Sequence, residues 1–261
     1  MPEASKFGSI YIPYAISVLL VFVVVKLAGL DGRSTSYSDL LLNLLCINGF
    51  ISVPYVEGAH WYMTYLLVTY FYICVIKKLR LQNTGWVFSI IVVITILLKT
   101  IGIFTPEIFK YILSVLSGGS AIVSFLIGVQ IFKVLHSQST YERMINLAFA
   151  MCGLLWSWKI MGSIAAAMFA IMIVLFIAAV LEKCSWLSCS FLVSLGSISY
   201  PLYLTHQNIG FVVINKLMSY TSFFVAVLAA FVCAVIVAIT VKALSGYIKN
   251  VFVNLLSRTE M

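Results

Sequence analysis

Eight predominantly apolar runs, at residues 9–29, 61–78, 86–104, 118–136, 144–158, 160–181, 191–217 and 222–245, occupy most of this 261-residue chain. A helix needs about 20 such residues to cross the hydrocarbon core of a bilayer. The runs therefore predict an all-α, polytopic transmembrane helix bundle of about eight spans. Composition excludes the alternatives. Hydrophobic residues make up 63% of the chain and charged residues only 9%, whereas a soluble domain holds ~25% charged residues. A globule so built could not cover its surface with polar groups, which rules out a soluble enzyme, a disordered chain and a disulfide-rich secreted module. The 14% of aromatic residues suits interfacial belts and a shaped interior.

A ninth apolar stretch, 39–56, is broken by Asn43, Asn48, Gly49 and Pro54 and reads as a re-entrant or interfacial segment. Residues 105–116, opened by Pro106 and Glu107, read as a short amphipathic stretch. The net charge is +8, yet the densest basic cluster is Lys77-Lys78-Arg80 at the end of an apolar run, which fits the positive-inside rule and not a nucleic-acid stripe. Taking that loop as cytoplasmic and alternating, Lys133, Arg143, Lys183, Lys242, Lys249 and Arg258 also fall inside. The segment 30–60, with Asp31, Asp39 and Glu57, falls outside. Both termini are then cytoplasmic, provided 39–56 does not cross. Lys26, Lys99, Lys159 and Lys216 sit at outer ends, where long side chains can snorkel. Four of the six cysteines lie in apolar runs; Cys184 and Cys189 share a loop without nearby histidine. The pattern predicts neither a metal site nor a disulfide framework. No internal repeat or separate soluble domain is visible, so 1–261 reads as one domain.

Polar side chains inside spans are costly and mark functional candidates. The richest run is Leu195-Gly196-Ser197-Ile198-Ser199-Tyr200-Pro201-Leu202-Tyr203-Leu204-Thr205-His206-Gln207. At about 100° per residue, Gly196, Ser199, Tyr200, Tyr203, His206, Gln207 and Gly210 fall within ~120° of one another. Ile198, Leu202, Leu204 and Ile209 lie outside that arc and read as lipid-like. Pro201 faces away from the polar side and should kink the helix. One reading has the polar face line an enclosed cavity, with His206 near mid-membrane as a proton acceptor and Ser199 and Tyr203 beside it. The other is interhelical glue, small residues allowing close approach while Ser, Tyr and His satisfy one another. A second group, Gly58-Ala59-His60-Trp61-Tyr62-Met63-Thr64-Tyr65, opens a span. Trp61, Thr64, Tyr65, Val68 and Tyr72 form one stripe on it, either an aromatic belt or the outer mouth of the cavity with His60 at its lip. His136 reads as water-facing. Ser117-Gly118-Gly119-Ser120 lacks the spacing of a phosphate loop and reads as a turn.

The run Leu195 to His206 closely resembles the "LGxISYxLYLxH" signature of the acyltransferase-3 family of integral-membrane acyltransferases. His60-Trp61-Tyr62-Met63 resembles its "hLWFL" element and Ser124-Phe125-Leu126-Ile127-Gly128 its "FxxG" element. The similarity runs from about residue 6 to 245. It implies O-acyl transfer, usually of acetyl, from an acyl-CoA donor to a sugar hydroxyl of a surface polysaccharide or its lipid-linked precursor in a bacterial inner membrane. Acyl-CoA is then a substrate, and no cofactor is held. On the polar face and the aromatic stripe, the residues expected to form the site are His206, Tyr203 and Ser199 for chemistry, and His60, Trp61, Tyr65, Tyr72, Tyr200 and Gln207 for substrate. Lys6-Phe7-Gly8-Ser9-Ile10-Tyr11-Ile12-Pro13 resembles the family's "RxxRIYP" entry to a later helix. The family's Arg/His catalytic pair lies about two helices earlier, so the chain reads as N-terminally truncated, and an inactive form is one expectation. The position five residues after the tryptophan, where many members carry glutamate, holds Leu66. Two other readings stand beside transfer. A transporter or flippase subunit would require inverted repeats and broken helices, and a partner-stabilising membrane protein would dock the 196–210 face on another chain.

Overall fold

The computed structural model describes residues 2–80, 84–101, 111, 115–116 and 119–259. Among them nine α-helices follow in order: α1 (Pro2–Ala28), α2 (Tyr37–Leu44), α3 (Trp61–Lys78), α4 (Thr84–Ile101), α5 (Gly119–His136), α6 (Thr140–Met161), α7 (Ser163–Val180), α8 (Ser190–Leu217) and α9 (Phe223–Thr259). Within the described residues, each of the eight apolar runs lies mainly on one of these helices. Four stretches among the described residues are long and apolar enough to cross a membrane: Gly8–Ala28, Gly58–Lys78, Ser163–Val180 and Phe223–Phe252. The 28-residue α8 has the length as well, but its Ser, Tyr, His, Gln and Asn residues lower its apolarity. The amphipathic stretch expected at 105–116 lies almost wholly outside the described residues, as do Ser117 and Gly118.

The chain forms two compact units, one from Met1–Trp61 with Ser188–Met261, the other from Tyr62–Leu187. In the first, α1 packs against both α8 and α9, and α8 and α9 pair along their length as a hairpin. The buried side of α1 is Tyr14, Ser17, Val18, Val21, Phe22 and Val25, the spacing of one helical face. The buried side of α9 is Ala226, Ala230, Ala234 and Ala238, followed by Val241 and Ser245. Alanine every fourth residue lets helix backbones approach closely, which matters in lipid because apolar burial alone does not favour helix contact there. Ala238 is fully buried. Ala238→Leu should therefore lower thermal stability in detergent by about 1–3 kcal/mol through overpacking, whereas leucine at the exposed Ile239 should leave the melting curve unchanged.

The segment expected to be re-entrant or interfacial forms the short helix α2 and a 3₁₀ turn at Asn48–Phe50. α1 ends at Gly29, whose φ of 65° suits the left-handed cap that glycine adopts without strain. Its N–H reaches the Val25 carbonyl at 3.1 Å. A capping box then starts α2. Ser36 Oγ accepts from the Asp39 N–H at 3.0 Å, and Asp39 Oδ2 accepts from the Ser36 N–H at 2.9 Å, an arrangement that satisfies two otherwise orphaned donors. These bonds hold the Asp39 carboxyl below its ordinary range.

In the second unit, Val68 and Ile76 of α3, Val92 and Ile96 of α4, and Ile122, Val123, Leu126, Ile127 and Ile131 of α5 form one buried cluster. Buried Gln130 of α5 donates from Nε2 to Ser89 Oγ of α4, a polar pair of the kind that joins helices in lipid. α7 buries none of its residues. With a mean hydropathy of 2.8, it is apolar around its whole circumference, as a lipid-facing helix is.

Candidate functional site

In the first unit, residues 43–60 are stitched to α1 and α8 through buried polar groups. Asn43 is the hub. Its Nδ2 donates to the carbonyls of Asp39 and Pro54 at 2.8 and 2.9 Å, its Oδ1 accepts from the Val56 N–H at 3.1 Å, and its own carbonyl accepts from the Tyr14 hydroxyl at 2.7 Å. The chain is thus turned back after α2, and residues 56–60 lie against α8. Glu57 Oε2 accepts from the Asn208 N–H at 3.0 Å, and Asn208 Nδ2 donates to the Val56 carbonyl at 2.8 Å. Four residues before Asn208, the Leu204 carbonyl lies 3.1 Å from His60 Nε2. A carbonyl only accepts, so Nε2 carries the proton. That N–H is also 3.2 Å from Ser17 Oγ, which donates in turn to the Tyr14 carbonyl at 2.7 Å. The two backbone groups that define one turn of α8 are therefore each held by a side chain from 57–60. Glu57 and His60 are fully buried. Burial pushes the Glu57 carboxyl above the usual carboxylate range, although the Asn208 and Gly58 N–H groups and the Arg33 charge pull it down.

His206 and Gln207 lie within this pinned turn, on the side of α8 turned toward α9. There a cavity of about 570 Å³ is lined by Ser199, Tyr203, His206, Gln207 and Gly210 of α8, with Ala230, Phe231 and Ala234 of α9 among its apolar wall. Ligand pockets are typically ~300–1,000 Å³ and mostly apolar with a few convergent polar groups. His206 Nδ1 is 2.9 Å from the Tyr203 carbonyl. Nδ1 is thus the protonated nitrogen, and Nε2 carries the free lone pair. Ser199 Oγ donates to the Gly196 carbonyl at 2.7 Å, leaving its oxygen lone pairs to accept from a ligand. Gly58 meets the Gln207 amide so closely that a Cβ there would overlap it unless that flexible side chain shifted. At the hairpin end, the Arg33 guanidinium lies 5.1 Å from the centre of the Phe211 ring, itself part of the lining. The chemistry available is proton abstraction by a neutral imidazole beside hydroxyl and amide groups.

The cavity gathers four of the expected residues, Ser199, Tyr203, His206 and Gln207. The others lie elsewhere. His60, expected at a lip, is instead a fully buried pin between α1 and α8. Trp61 is exposed. Tyr200 turns to α1 and donates to the Ile10 carbonyl at 2.9 Å. Tyr65 and Tyr72 belong to the second unit, where Tyr72 packs on the apolar cluster and its hydroxyl lies 3.4 Å from the Leu116 carbonyl. Two expectations about α8 are corrected. Ile198, Leu204 and Ile209 do not face lipid but are buried in the protein together with Pro201. The polar seam is the more open side, and Ser199 and His206 are exposed, not enclosed. Pro201 lies within a helix continuous from Ser190 to Leu217. Glu57, Asn208, Ser17 and Asn43 were not singled out as site residues from sequence. Of these only Asn43 has a signal in the sequence, as one of the polar residues interrupting 39–56. His136 is exposed, as expected, with Nδ1 2.8 Å from the Phe132 carbonyl.

Among the described residues no group of three His, Cys, Asp or Glu side chains is placed to hold a metal. No curated protein and no solved structure matches the chain. A family model does. The acyltransferase domain of the acyltransferase-3 family matches residues 4–243, a range that takes in both units, the pinned turn at 57–60 and the whole lining of the cavity. With that match over nearly the full length, on a helical chain whose apolar stretches suit a bilayer, the protein belongs to the acyltransferase-3 family of membrane acyltransferases.

Proposed function

We propose that the chain transfers an acyl group, acetyl from acetyl-CoA, to a sugar hydroxyl of a cell-surface polysaccharide or its lipid-linked precursor, in the cavity between α8 and α9. The observation that carries this reading is the His206 imidazole, with a free Nε2 lone pair, on a cavity wall shared with Ser199, Tyr203 and Gln207. In this scheme Nε2 takes the proton of the acceptor hydroxyl as its oxygen attacks the thioester carbonyl carbon. The tetrahedral intermediate then collapses, the C–S bond breaks, and the departing thiolate takes the proton back from the imidazolium, giving the O-acyl ester and free CoA. Gln207 and the Tyr203 side chain would orient the sugar, and the apolar wall would hold the lipid of a lipid-linked acceptor. We place the protein in a bacterial inner membrane with both termini in the cytoplasm, where acyl-CoA is found.

The reading is tested with membranes containing the full chain, labelled acetyl-CoA and a lipid-linked sugar acceptor. Label appearing on the sugar, dependent on the chain, is the expected result. Movement of unmodified acceptor across the membrane without label incorporation would assign the chain to transport and overturn transfer.

A further inference from the structure

At the Ser199 end of the cavity, the three long helices of the first unit carry a cluster that the scheme above leaves unused. Lys242 Nζ of α9 donates to Ser197 Oγ of α8 at 2.7 Å, and Lys249 Nζ donates to Ser9 Oγ of α1 at 2.7 Å. Seven residues separate the lysines, so their stems leave one side of α9 about 10 Å apart. Ser9, Ser197 and Lys242 are exposed and Lys249 is half-buried. An ammonium has three donors. A serine hydroxyl takes one and supplies no negative charge, so among the described residues both lysines keep charge and donors for an anion.

We infer that Lys242 and Lys249, with Ser197 and Ser9, bind the phosphates of the acyl donor's nucleotide. The inference rests on the acyl-CoA reading of the cavity and adds to it a docking place for the donor. Two cations two turns apart suit a ligand bearing more than one phosphate group, as CoA does with its diphosphate and its ribose phosphate. The reach along the axis also fits. α8 rises about 13 Å from Ser197 to His206, and although those two residues lie on opposite sides of α8, Lys242 shares a side of α9 with Phe231 of the cavity wall, eleven residues and about 20° away. Some thirteen bonds join the CoA diphosphate to its sulfur, about 15 Å when extended at the ~3.5 Å that three backbone bonds span. A donor held by the lysines lays its pantetheine arm along the α8–α9 seam and brings the thioester to the His206 imidazole. A phospholipid headgroup offers the same phosphate chemistry, and the test separates the two sources.

Coenzyme A itself, which has no acyl group to transfer, is titrated into the full-length protein in phosphatidylcholine nanodiscs. The Lys242→Gln/Lys249→Gln double variant should bind it at least about tenfold more weakly than wild type. Binding by the wild type should weaken as salt is raised. The Lys242→Arg/Lys249→Arg variant keeps both charges and should retain most of the affinity, which guards against a folding defect being read as a lost ligand. Equal CoA affinity in wild type and the glutamine variant overturns the site and leaves acyl transfer standing. So does a glutamine variant that binds CoA normally but no longer retains phosphatidylglycerol in native mass spectrometry, since the lysines would then be headgroup ligands. Absence of CoA binding to wild type overturns both the site and the choice of donor. Lysine-dependent CoA binding without acyl transfer to any sugar supports the site and overturns the transfer reading alone.

Discussion

His206→Ala should lower acyl transfer by about 10²–10⁴-fold, the usual contribution of a positioned general base, while leaving the protein folded. The two halves of this expectation have separate origins. The imidazole is exposed to the cavity, and its contacts are to its own helix, Nδ1 to the Tyr203 carbonyl and the ring 6.1 Å from the Tyr203 ring. Removing an exposed side chain of that kind typically changes stability by no more than about 0.5 kcal/mol. Its Nε2, by contrast, is the free basic nitrogen of the cavity wall, and alanine takes it away. His206→Gln should be nearly as inactive, because an amide cannot accept the proton. The measurement is label transfer to the sugar acceptor alongside a melting curve of the purified protein in detergent. Transfer at the wild-type rate by the alanine variant would remove His206 from the chemistry. His60→Ala should behave in the opposite way. This histidine is fully buried against Tyr14, with ring centres 4.9 Å apart, and its N–H is divided between Ser17 and the Leu204 carbonyl. Loss of packing and of a buried hydrogen bond should appear first in stability.

The second large effect concerns Glu57. Glu57→Ala should destabilise the first unit by about 1–3 kcal/mol, the range for removing one partner of a buried hydrogen bond, and should loosen the turn of α8 that carries His206. Glu57→Gln should be much milder, because its amide oxygen can still accept from the Asn208 N–H. The glutamine variant also isolates a pH effect. Burial raises the Glu57 carboxyl above its ordinary range, so between the unfolded and the folded pKa the native state holds more protons. The stability associated with Glu57 is then fully present below the unfolded value and falls as pH rises through the folded value. Asp39 shifts the other way, lowered by its bonds to Ser36, so its contribution is present at higher pH and is lost as pH falls through its folded pKa. Taking the difference between wild type and Glu57→Gln cancels that background. Thermal stability measured from acid to neutral pH should fall with rising pH in wild type relative to the variant. A wild type that gains stability on the variant over that window would mean that the ionised carboxylate is the favoured form inside the protein.

Sequence periodicity located α8 and its polar face, because a period of 3.6 residues is a local property that backbone hydrogen bonding enforces. It did not reveal which face is buried. Ile198, Leu204 and Ile209 read as lipid-facing, yet they are packed within the protein. Hydropathy cannot separate the two surroundings, since lipid tails and a protein interior are equally apolar. His60 misled for a related reason. A histidine beside a tryptophan at the start of an apolar run reads as interfacial, and only the approach of α1 and α8 shows it to be enclosed. Asn43 was visible as an interruption in 39–56. What could not be seen is that its amide meets Asp39, Pro54 and Val56 together and so turns the segment back on itself.

By itself, then, the amino-acid order determined an all-helical membrane chain, the positions of its long helices and the clustering of Ser199, Tyr203, His206 and Gln207 on one side of one of them. All of these follow from interactions within about two turns of helix. Tertiary structure decided the rest. It brought Glu57 to Asn208, 151 residues away, Lys242 to Ser197 and Lys249 to Ser9, and it left a cavity on the polar side of α8. Such pairings depend on how helices distant in sequence pack side by side, and no local pattern encodes that.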